Sequence, residues 1–452
     1  MNEHTNIKKI IGKLKQNWAF FCVGILFITG FLLRLLVVLR NEIQPVDALQ
    51  YMEIAKAIIG VEDNTYAYPR EPFFPFLLSL VYLIFPDTFL TARIFTSFIG
   101  STTIVLVYFV AKKYSQKYSK NGGHEKIGLI SSLIVCFNYY YIVNDGYGVR
   151  ESLFALLFFI LLYSILIKNK LAKRIILIIV SFLLILTKSE SLILLIGIAF
   201  FIYYNENILE KNNLGEIQQN NNENKNLDNE ENNNKTKNEY SNKGERMLKY
   251  IRTRNYNFIY ILLGMSIGFC IWKLISFIIF GNPFATSNWM ARMYYYNEFG
   301  ESAPDSLNTF SYLFEYHSFK ELAFAFYRGF YDSFNNYLTI YGRYLSAFFI
   351  LALIFYLFKK DYLSLFWIIY PLLFIGIFSI FWPVGNFYRI FVPYSMIGII
   401  AIPIFTFEIL ENFNIFISKR IDIKINKTLL FYLIFIFICI KYLLTLIENY
   451  WL

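Results

Sequence analysis

The sequence predicts an all-α protein that crosses a membrane many times. Hydrophobic residues make up 57% of the 452-residue chain and charged residues only 16%, a balance that no soluble domain of this size could bury. The apolar residues fall into about eleven runs, most of them close to the ~20 residues that a membrane-spanning helix needs. These runs are roughly 17–39, 90–111, 127–144, 151–167, 172–187, 190–204, 257–280, 343–358, 362–382, 390–410 and 428–447.

The cations indicate how these runs are oriented. The formal net charge is +10, and the Lys and Arg residues stand in short clusters between apolar runs, which is typical of topology signals and not of a nucleic-acid-binding surface. With the N-terminus in the cytoplasm, the clusters at 8–15, 112–126, 168–174, 359–360 and 420–427 all fall on the inner side. We therefore expect a multi-pass protein of the plasma membrane, with outer segments at 40–89 and 281–342.

The chain divides into two membrane halves. The segment 205–248 is rich in Asn and nearly free of apolar residues, so it cannot bury enough surface to fold. We expect a disordered cytoplasmic insert there, between an N-terminal half at 1–204 and a C-terminal half at 249–452. Only three His residues are present and the four Cys form no CxxC pair, which argues against a His- or Cys-based metal site.

The outer loop at 40–89 holds two carboxylates near the starts of two predicted interfacial helices. Apolar residues in 44–60 recur at helical spacing, and Asp47 lies near the start, where capping together with Gln50 is its ordinary role. A second helix begins in "EPFFPFLLSL", where Pro72 suits the first turn and holds Glu71 extended before it. Glu is a poor capping residue, so the pattern leaves more room for a functional role of Glu71.

Several short fragments follow one another along the chain in a fixed order. They are Asp47 with Tyr51, "REPFFPFLLSL", "ARIFTSFIG", "RESLFALL", "LTKSESLILL" and "FYRIFVPY". In this order the chain resembles the multi-spanning glycosyltransferases of the GT-C type, in particular the branch of protein O-mannosyltransferases and lipid A aminoarabinose transferases. The resemblance covers about residues 17–200 well and the C-terminal half thinly.

The resemblance implies a hexosyl- or pentosyl-type transferase that works at the extracytoplasmic membrane face. Its donor would be a sugar on a polyprenyl phosphate, and its acceptor a hydroxyl of a protein, a lipid or a polysaccharide. Asp47 and Glu71 match the acidic pair of the first outer loop, Glu151 matches a further acidic position, and Arg389 matches an Arg near the C-terminus. No cofactor is predicted as required, although two carboxylates could hold a divalent cation through waters.

Sugar transfer needs a carboxylate for the acceptor proton and cations for the departing phosphate. We predict Asp47 as the base, with Glu71 orienting the acceptor or stabilising positive charge on the sugar. For the phosphate we predict Arg389, then Arg70 and Lys188. Arg389 could instead reach the membrane interface as an ordinary surface cation, Lys188 could belong only to a helix-hairpin turn, and Arg70 could merely neutralise Glu71.

A transporter or flippase of a lipid-linked saccharide is the competing hypothesis. Such a protein would need ionisable residues that face a path near mid-membrane. Lys273, in the seventh apolar run, is one candidate. Most of the other selected charges gather at the outer ends of the predicted spans, which favours the transferase.

Overall fold

The computed structural model describes residues 2–41, 43–61, 69–116, 123–204, 257–304, 306–359, 369, 388–421 and 426–450. The secondary structure in this part of the chain is helical, as the apolar runs predict. In chain order the helices are α1 (Asn2–Arg40), α2 (Val46–Ile58), α3 (Phe73–Tyr82), α4 (Phe89–Ser115), α5 (His124–Phe137), α6 (Tyr139–Asp145), α7 (Glu151–Ile165), α8 (Lys170–Thr187), α9 (Ser191–Tyr204), α10 (Asn257–Phe280), α11 (Ala285–Phe299), α12 (Thr309–Phe314), α13 (Phe319–Phe358), α14 (Tyr388–Ile421) and α15 (Lys427–Tyr450).

The polytopic class is confirmed, but the number of about eleven spans is not. Six of the described helices are long and apolar enough to cross a membrane, and α5 with α6, bent by 61°, would make a seventh. The helices α3, α7 and α9 are apolar but shorter. The predicted run 343–358 is the second part of α13, the run 362–382 lies outside the described residues apart from residue 369, and the predicted insert at 205–248 lies outside them entirely.

Close helix packing holds the two halves together, and α8 against α10 is the most extensive contact between described helices. Two glycines one turn apart, Gly264 and Gly268, line this contact on α10. A Cβ added at Gly264 would stand 2.2 Å from the backbone oxygen of Ile178, and one at Gly268 would stand 2.9 Å from that of Phe182. Small residues at this spacing let two helix backbones approach each other within a membrane.

A buried ion pair crosses the N-terminal half. Arg34 of α1 donates from Nε to the Asp145 carboxylate of α6 at 2.8 Å, and both side chains are almost fully buried. Ser152 donates a second hydrogen bond to this carboxylate at 2.6 Å. Gly100 of α4 leaves the space that the carboxylate fills, since a Cβ there would stand 2.0 Å from it. The pair therefore joins α1, α4, α6 and α7 below the predicted outer loop.

Both predicted loop helices are present, as α2 and α3. The capping interpretation of Asp47 is wrong, because Pro45 is the N-cap residue of α2 and Asp47 lies within the first turn. Pro72, and not Glu71, is likewise the N-cap residue of α3. Proline imposes this order, since its fixed φ suits a helix start and disfavours a helical residue before it. Both carboxylates are thus available for contacts with other elements.

The predicted outer segment at 281–342 contains α11, α12 and the first part of α13. The chain breaks the helical path of α13 at Gly342, whose backbone has φ 65° and ψ 170°. Only glycine adopts such a conformation without a steric penalty. Helix α11 brings Trp289 to the Arg70 side chain of the first outer loop, so this segment contributes to the region described next.

Candidate active site

The predicted site residues meet where the loop carrying α2 and α3 packs on the ends of α7 and α8. Arg70 and Glu71 precede α3, Glu151 opens α7, and Lys188 follows the last residue of α8. Each of these four side chains is buried by the folded chain. Charged groups are rarely buried unless they are paired or functional, so their convergence marks the region as a candidate site.

Asp47 and Arg70 form one ion pair of this site. The Arg70 guanidinium lies 2.5 Å from the Asp47 carboxylate and also donates to the Gln50 side chain at 2.7 and 3.0 Å. It stands 4.6 Å from the centre of the Trp289 ring. The Asp47 side chain keeps 25% of its surface exposed. Arg70 therefore pairs with Asp47 and does not neutralise its sequence neighbour Glu71, which was the alternative interpretation. Because the Asp47 side chain is partly exposed, Asp47 is the carboxylate that a substrate can reach.

Glu71 lies in a second and deeper pair, with only 1% of its surface exposed. It accepts a hydrogen bond from the Arg150 guanidinium, and the Ser189 backbone N–H and hydroxyl donate to its other oxygen at 2.9 and 2.6 Å. Burial by itself would raise the pKa of Glu71, but Arg150 and Ser189 outweigh it and hold that pKa below its ordinary value. Glu71 is therefore a buried anion that ties the outer loop to α7 and to the α8–α9 turn.

Tyr51 of α2 connects the two ion pairs. The Arg70 and Arg150 guanidinium carbons stand 5.7 and 5.9 Å from the centre of its ring, within the range of cation–π attraction. Its side chain is almost fully buried and packs edge-on against Phe74 of α3. Burial raises the pKa of the Tyr51 phenol, so this group is neutral at physiological pH.

Lys188 is a buried cation whose nitrogen has no hydrogen-bond partner among the described residues. Its Nζ lies 4.0 Å from the Glu151 carboxylate and 5.6 and 5.8 Å from the ring centres of Phe154 and Tyr394. Burial lowers the pKa of Lys188, and Glu151 and Glu190 offset part of that effect. A buried ammonium group with unused donors is suited to an anion supplied by a ligand.

The structure brings Asp47, Glu71, Arg70, Glu151 and Lys188 into this region. Arg389 lies in the first turn of α14, and its side chain is outside the described part of the structure. The catalytic and phosphate-binding roles of these residues stay predictions.

Sequence reasoning missed Arg150, the partner of Glu71. A signal for it exists, because the chain contains two Arg-Glu dipeptides near predicted span ends, Arg70-Glu71 and Arg150-Glu151. In each dipeptide the Arg pairs with a carboxylate from elsewhere in the chain. Adjacent charges in extended or helix-start backbone point away from each other, so a partner for each should be sought at a distance. Ser189 and Glu190, in the turn after Lys188, were also missed.

The described residues contain no group of three His, Cys, Asp or Glu side chains placed to hold a metal ion. Asp47 and Glu71 each face a guanidinium group, which competes with a cation for their oxygens. A divalent cation between these two carboxylates would have to displace Arg70 or Arg150, so the arrangement offers it little support.

Comparison with known families gives a match that covers most of this region. Residues 69–214, about a third of the chain, match the family described as dolichyl-phosphate-mannose-protein mannosyltransferase, which is one of the GT-C-type glycosyltransferases. The resemblance to the GT-C type is confirmed. The GT-C match contains Arg70, Glu71, Arg150 and Lys188, and it begins after Asp47. No curated protein and no solved structure matches the chain.

This segment is accordingly similar to the membrane glycosyltransferases of the mannosyltransferase-like GT-C type. The matched segment runs from the residue before Arg70 to beyond α9, so it includes both buried ion-pair partners Glu71 and Arg150. The GT-C match and most of the charge cluster therefore lie in the same part of the chain.

Proposed function

We propose that the chain transfers a sugar from a polyprenyl-phosphate donor to an acceptor hydroxyl at the extracytoplasmic face of the plasma membrane. The observation that carries this proposal is Lys188, a buried ammonium group after the end of α8 whose nitrogen has no hydrogen-bond partner among the described residues. A lipid phosphate supplies the hydrogen-bond acceptor that Lys188 lacks among the described residues, since the Glu151 carboxylate stands 4.0 Å away. The matched family, whose name refers to a lipid-linked mannose donor and a protein acceptor, supports the same donor chemistry.

Asp47 takes the role of the base in this proposal. The acceptor hydroxyl gives its proton to the Asp47 carboxylate while its oxygen forms a bond to the anomeric carbon of the sugar. The bond between that carbon and the phosphate oxygen breaks, and the polyprenyl phosphate leaves with the electron pair. Asp47 fits better than Glu71, because Glu71 has both oxygens engaged and is closed off from solvent.

Cations hold the phosphate as its negative charge grows. Lys188 contacts it directly, and Arg70 is placed to respond when Asp47 takes up a proton, since the guanidinium then loses its anionic partner. Arg389 is a third candidate by its position at the start of α14. Glu71 and Arg150 act indirectly in this scheme, by holding the loop against α7 and the α8–α9 turn.

The distribution of cations supports the extracytoplasmic orientation. The candidate site lies at the start of α7 and the end of α8, whereas Lys112 and Lys113 lie in the last turn of α4 and Lys170 lies at the start of α8. Helices α7 and α8 each run between these two ends. The positive-inside rule assigns the Lys-rich end to the cytoplasm, which leaves the site on the opposite face.

The transport alternative gains nothing from Lys273. The Lys273 nitrogen stands 4.6 Å from the centre of the Phe284 ring, just beyond the end of α10, and its charge interacts with that of Glu71. The Lys273 ammonium group thus lies against the segment that follows α10 and is not isolated within the span. A charge on a mid-membrane path was the feature that transport required.

The test is transfer by the purified chain in liposomes supplied with labelled polyprenyl-phosphate sugars, hexose and pentose, and with envelope acceptor fractions. Asp47→Asn should lower the turnover rate by about 10²–10⁴-fold, the typical contribution of a general base. Glu53→Gln is the matched control, since Glu53 is an acid on the same helix outside the cluster, and it should leave turnover unchanged. Turnover of Asp47→Asn within a few-fold of the unmodified chain would rule out the assigned base.

A further inference from the structure

A cavity lies between α6 of the N-terminal half and helices α13 and α15 of the C-terminal half, and no residue of the Lys188 cluster lines it. It has a volume of about 430 Å³ and is formed by α6, the broken part of α13 and the end of α15. This volume is within the range of small-ligand pockets, about 300–1,000 Å³. Its walls combine the rings of Tyr139, Tyr140 and Tyr442 with the side chains of Arg343 and Asn335.

The break at Gly342 creates the cavity, and the backbone groups that it frees are satisfied within the protein. The Ser346 hydroxyl donates to the Leu338 and Gly342 carbonyls at 2.6 and 2.7 Å. Asn138, the N-cap residue of α6, donates to the Ile340 carbonyl at 2.8 Å. Side chains from two helices thus hold the broken backbone in place, which makes the cavity a permanent feature of the fold and not a gap that closes by helix repair.

The donors that remain for a ligand are one cationic group and one neutral amide. The Thr339 and Thr445 hydroxyls donate to carbonyls of their own helices, at 2.8 and 3.1 Å, and so present only lone pairs to the cavity. The Arg343 guanidinium has no ion-pair or hydrogen-bond partner in the described portions of the chain, and the same holds for the Asn335 side-chain amide. These two groups can both donate hydrogen bonds to the oxygens of one anionic group.

The depth of the cavity matches that of lipid head groups. Tyr450, near the end of α15, accepts a hydrogen bond from Asn41, which follows the last residue of α1 on the side of the outer loop. Thr445 lies five residues before Tyr450, or about 7–8 Å along the helix at 1.5 Å per residue. The polar region of a bilayer leaflet is of similar thickness, so the cavity lies near the boundary between head groups and acyl chains.

We propose that this cavity binds a phosphate-bearing head group, with Arg343 and Asn335 donating to the phosphate and the tyrosine rings packing on the adjoining apolar part. Arg is the side chain best matched to phosphate, because its planar fork places two N–H groups at two oxygens. The cavity is built from other helices than the Lys188 cluster, so this ligand is additional to any sugar donor and does not depend on the proposed transfer reaction.

The test measures binding of phosphatidylglycerol to the full-length chain in detergent by native mass spectrometry, with diacylglycerol and inorganic phosphate in parallel. Arg343→Ala should weaken phosphatidylglycerol binding at least about ten-fold, as expected for loss of a charge-assisted contact. Arg328→Ala is the matched control, because it removes an exposed Arg from the same helix outside the cavity, and it should have little effect. Thr339→Phe fills the cavity with Arg343 retained, and should weaken binding similarly.

Each outcome decides the proposal. Selective loss of phosphatidylglycerol binding in Arg343→Ala and Thr339→Phe supports a lipid head group, and a parallel loss of inorganic phosphate binding supports the same site with free phosphate as a ligand. Equal losses in Arg343→Ala and Arg328→Ala would overturn it, since surface charge would then explain the binding. Unchanged binding in Thr339→Phe, or equal binding of diacylglycerol, would also overturn it, even if Arg343→Ala failed to fold.

Discussion

The buried pair between Glu71 and Arg150 is the contact whose removal tests the architecture of the site most directly. Glu71→Gln keeps the shape of the side chain and an oxygen for the two hydrogen bonds from Ser189, but it removes the charge and replaces the oxygen that accepts from Arg150 with an amide group that cannot accept. Arg150, also buried, is then left with Glu190 at 3.6 Å as its nearest anion. Breaking a buried ion pair by removal of one partner costs about 3–5 kcal/mol.

That cost translates into a measurable shift of the unfolding temperature. With about 2 cal/mol/K of unfolding entropy per residue, a chain of 452 residues should lose about 3–5 °C in Tm. The assay is thermal unfolding of the purified protein in detergent. The control is Lys56→Ala, which breaks the half-exposed Lys56–Asp87 pair at 3.7 Å in the same outer loop, and which should cost no more than about 1 kcal/mol.

A double variant isolates the interaction itself. In Glu71→Gln combined with Arg150→Met neither charge remains, so the double variant should be less destabilised than the two single variants added together. A Tm for Glu71→Gln equal to that of Lys56→Ala would refute the reasoning. Strict additivity in the double variant would refute it as well, because the two side chains would then contribute independently.

Three further outcomes follow from the same contacts. Because burial holds the pKa of Lys188 below its ordinary value, the ammonium group loses its proton earlier as pH rises, and the KM for a phosphate-linked donor should increase at alkaline pH. In Lys188→Arg the KM should stay constant over the same pH range, because a guanidinium group keeps its charge. An identical pH profile of KM for both proteins would contradict this prediction. The pKa of Glu71 is held below its ordinary value of about 4.5, so the Glu71 charge stabilises the fold above pH 4.5, and this stabilisation is lost as pH falls through the lower pKa of the folded state. Tm measured below about pH 4.5 should therefore fall more steeply in the unmodified chain than in Glu71→Gln. Parallel Tm curves for the two proteins would count against this prediction. Gly264→Ala should lower Tm, because the added methyl group overpacks against Ile178 at a cost of about 1–3 kcal/mol. Gly24→Ala is the control, since a Cβ there meets open space, and it should be neutral or slightly stabilising. Equal Tm values for these two variants would exclude close α8–α10 packing.

Much of the fold could be predicted because hydrophobic periodicity and proline placement act locally. The helices α2 and α3 lie where the apolar spacing of 44–60 and the Pro72 signal predicted them. The number of membrane spans was harder to predict from the sequence, because a run of apolar residues does not show where a helix bends. The 61° bend between α5 and α6 lies at Asn138, whose side chain caps α6 locally and also donates to the Ile340 carbonyl near the break at Gly342, a residue distant in the sequence.

The candidate site shows the same division. Asp47, Glu71 and Lys188 could be selected from residue type and position at span ends, and the structure brings them together. Which cation serves which carboxylate could not be selected, because Arg70 is next to Glu71 in sequence and yet pairs with Asp47. Side chains of consecutive residues diverge from the backbone, so sequence adjacency of charges is a poor guide to ion pairing.

The sequence by itself therefore determined the class of molecule, a many-spanning helical membrane protein, and the loop that carries two carboxylates of the candidate site. These properties depend on hydrophobicity and local backbone preference, which each segment carries alone. Only the tertiary structure decided that Glu71 is a buried partner of Arg150, that Asp47 stays accessible, and that Lys188 faces the site without a hydrogen bond. Burial and pairing are properties of several segments at once, because the neighbour that desolvates or neutralises a charge comes from another helix.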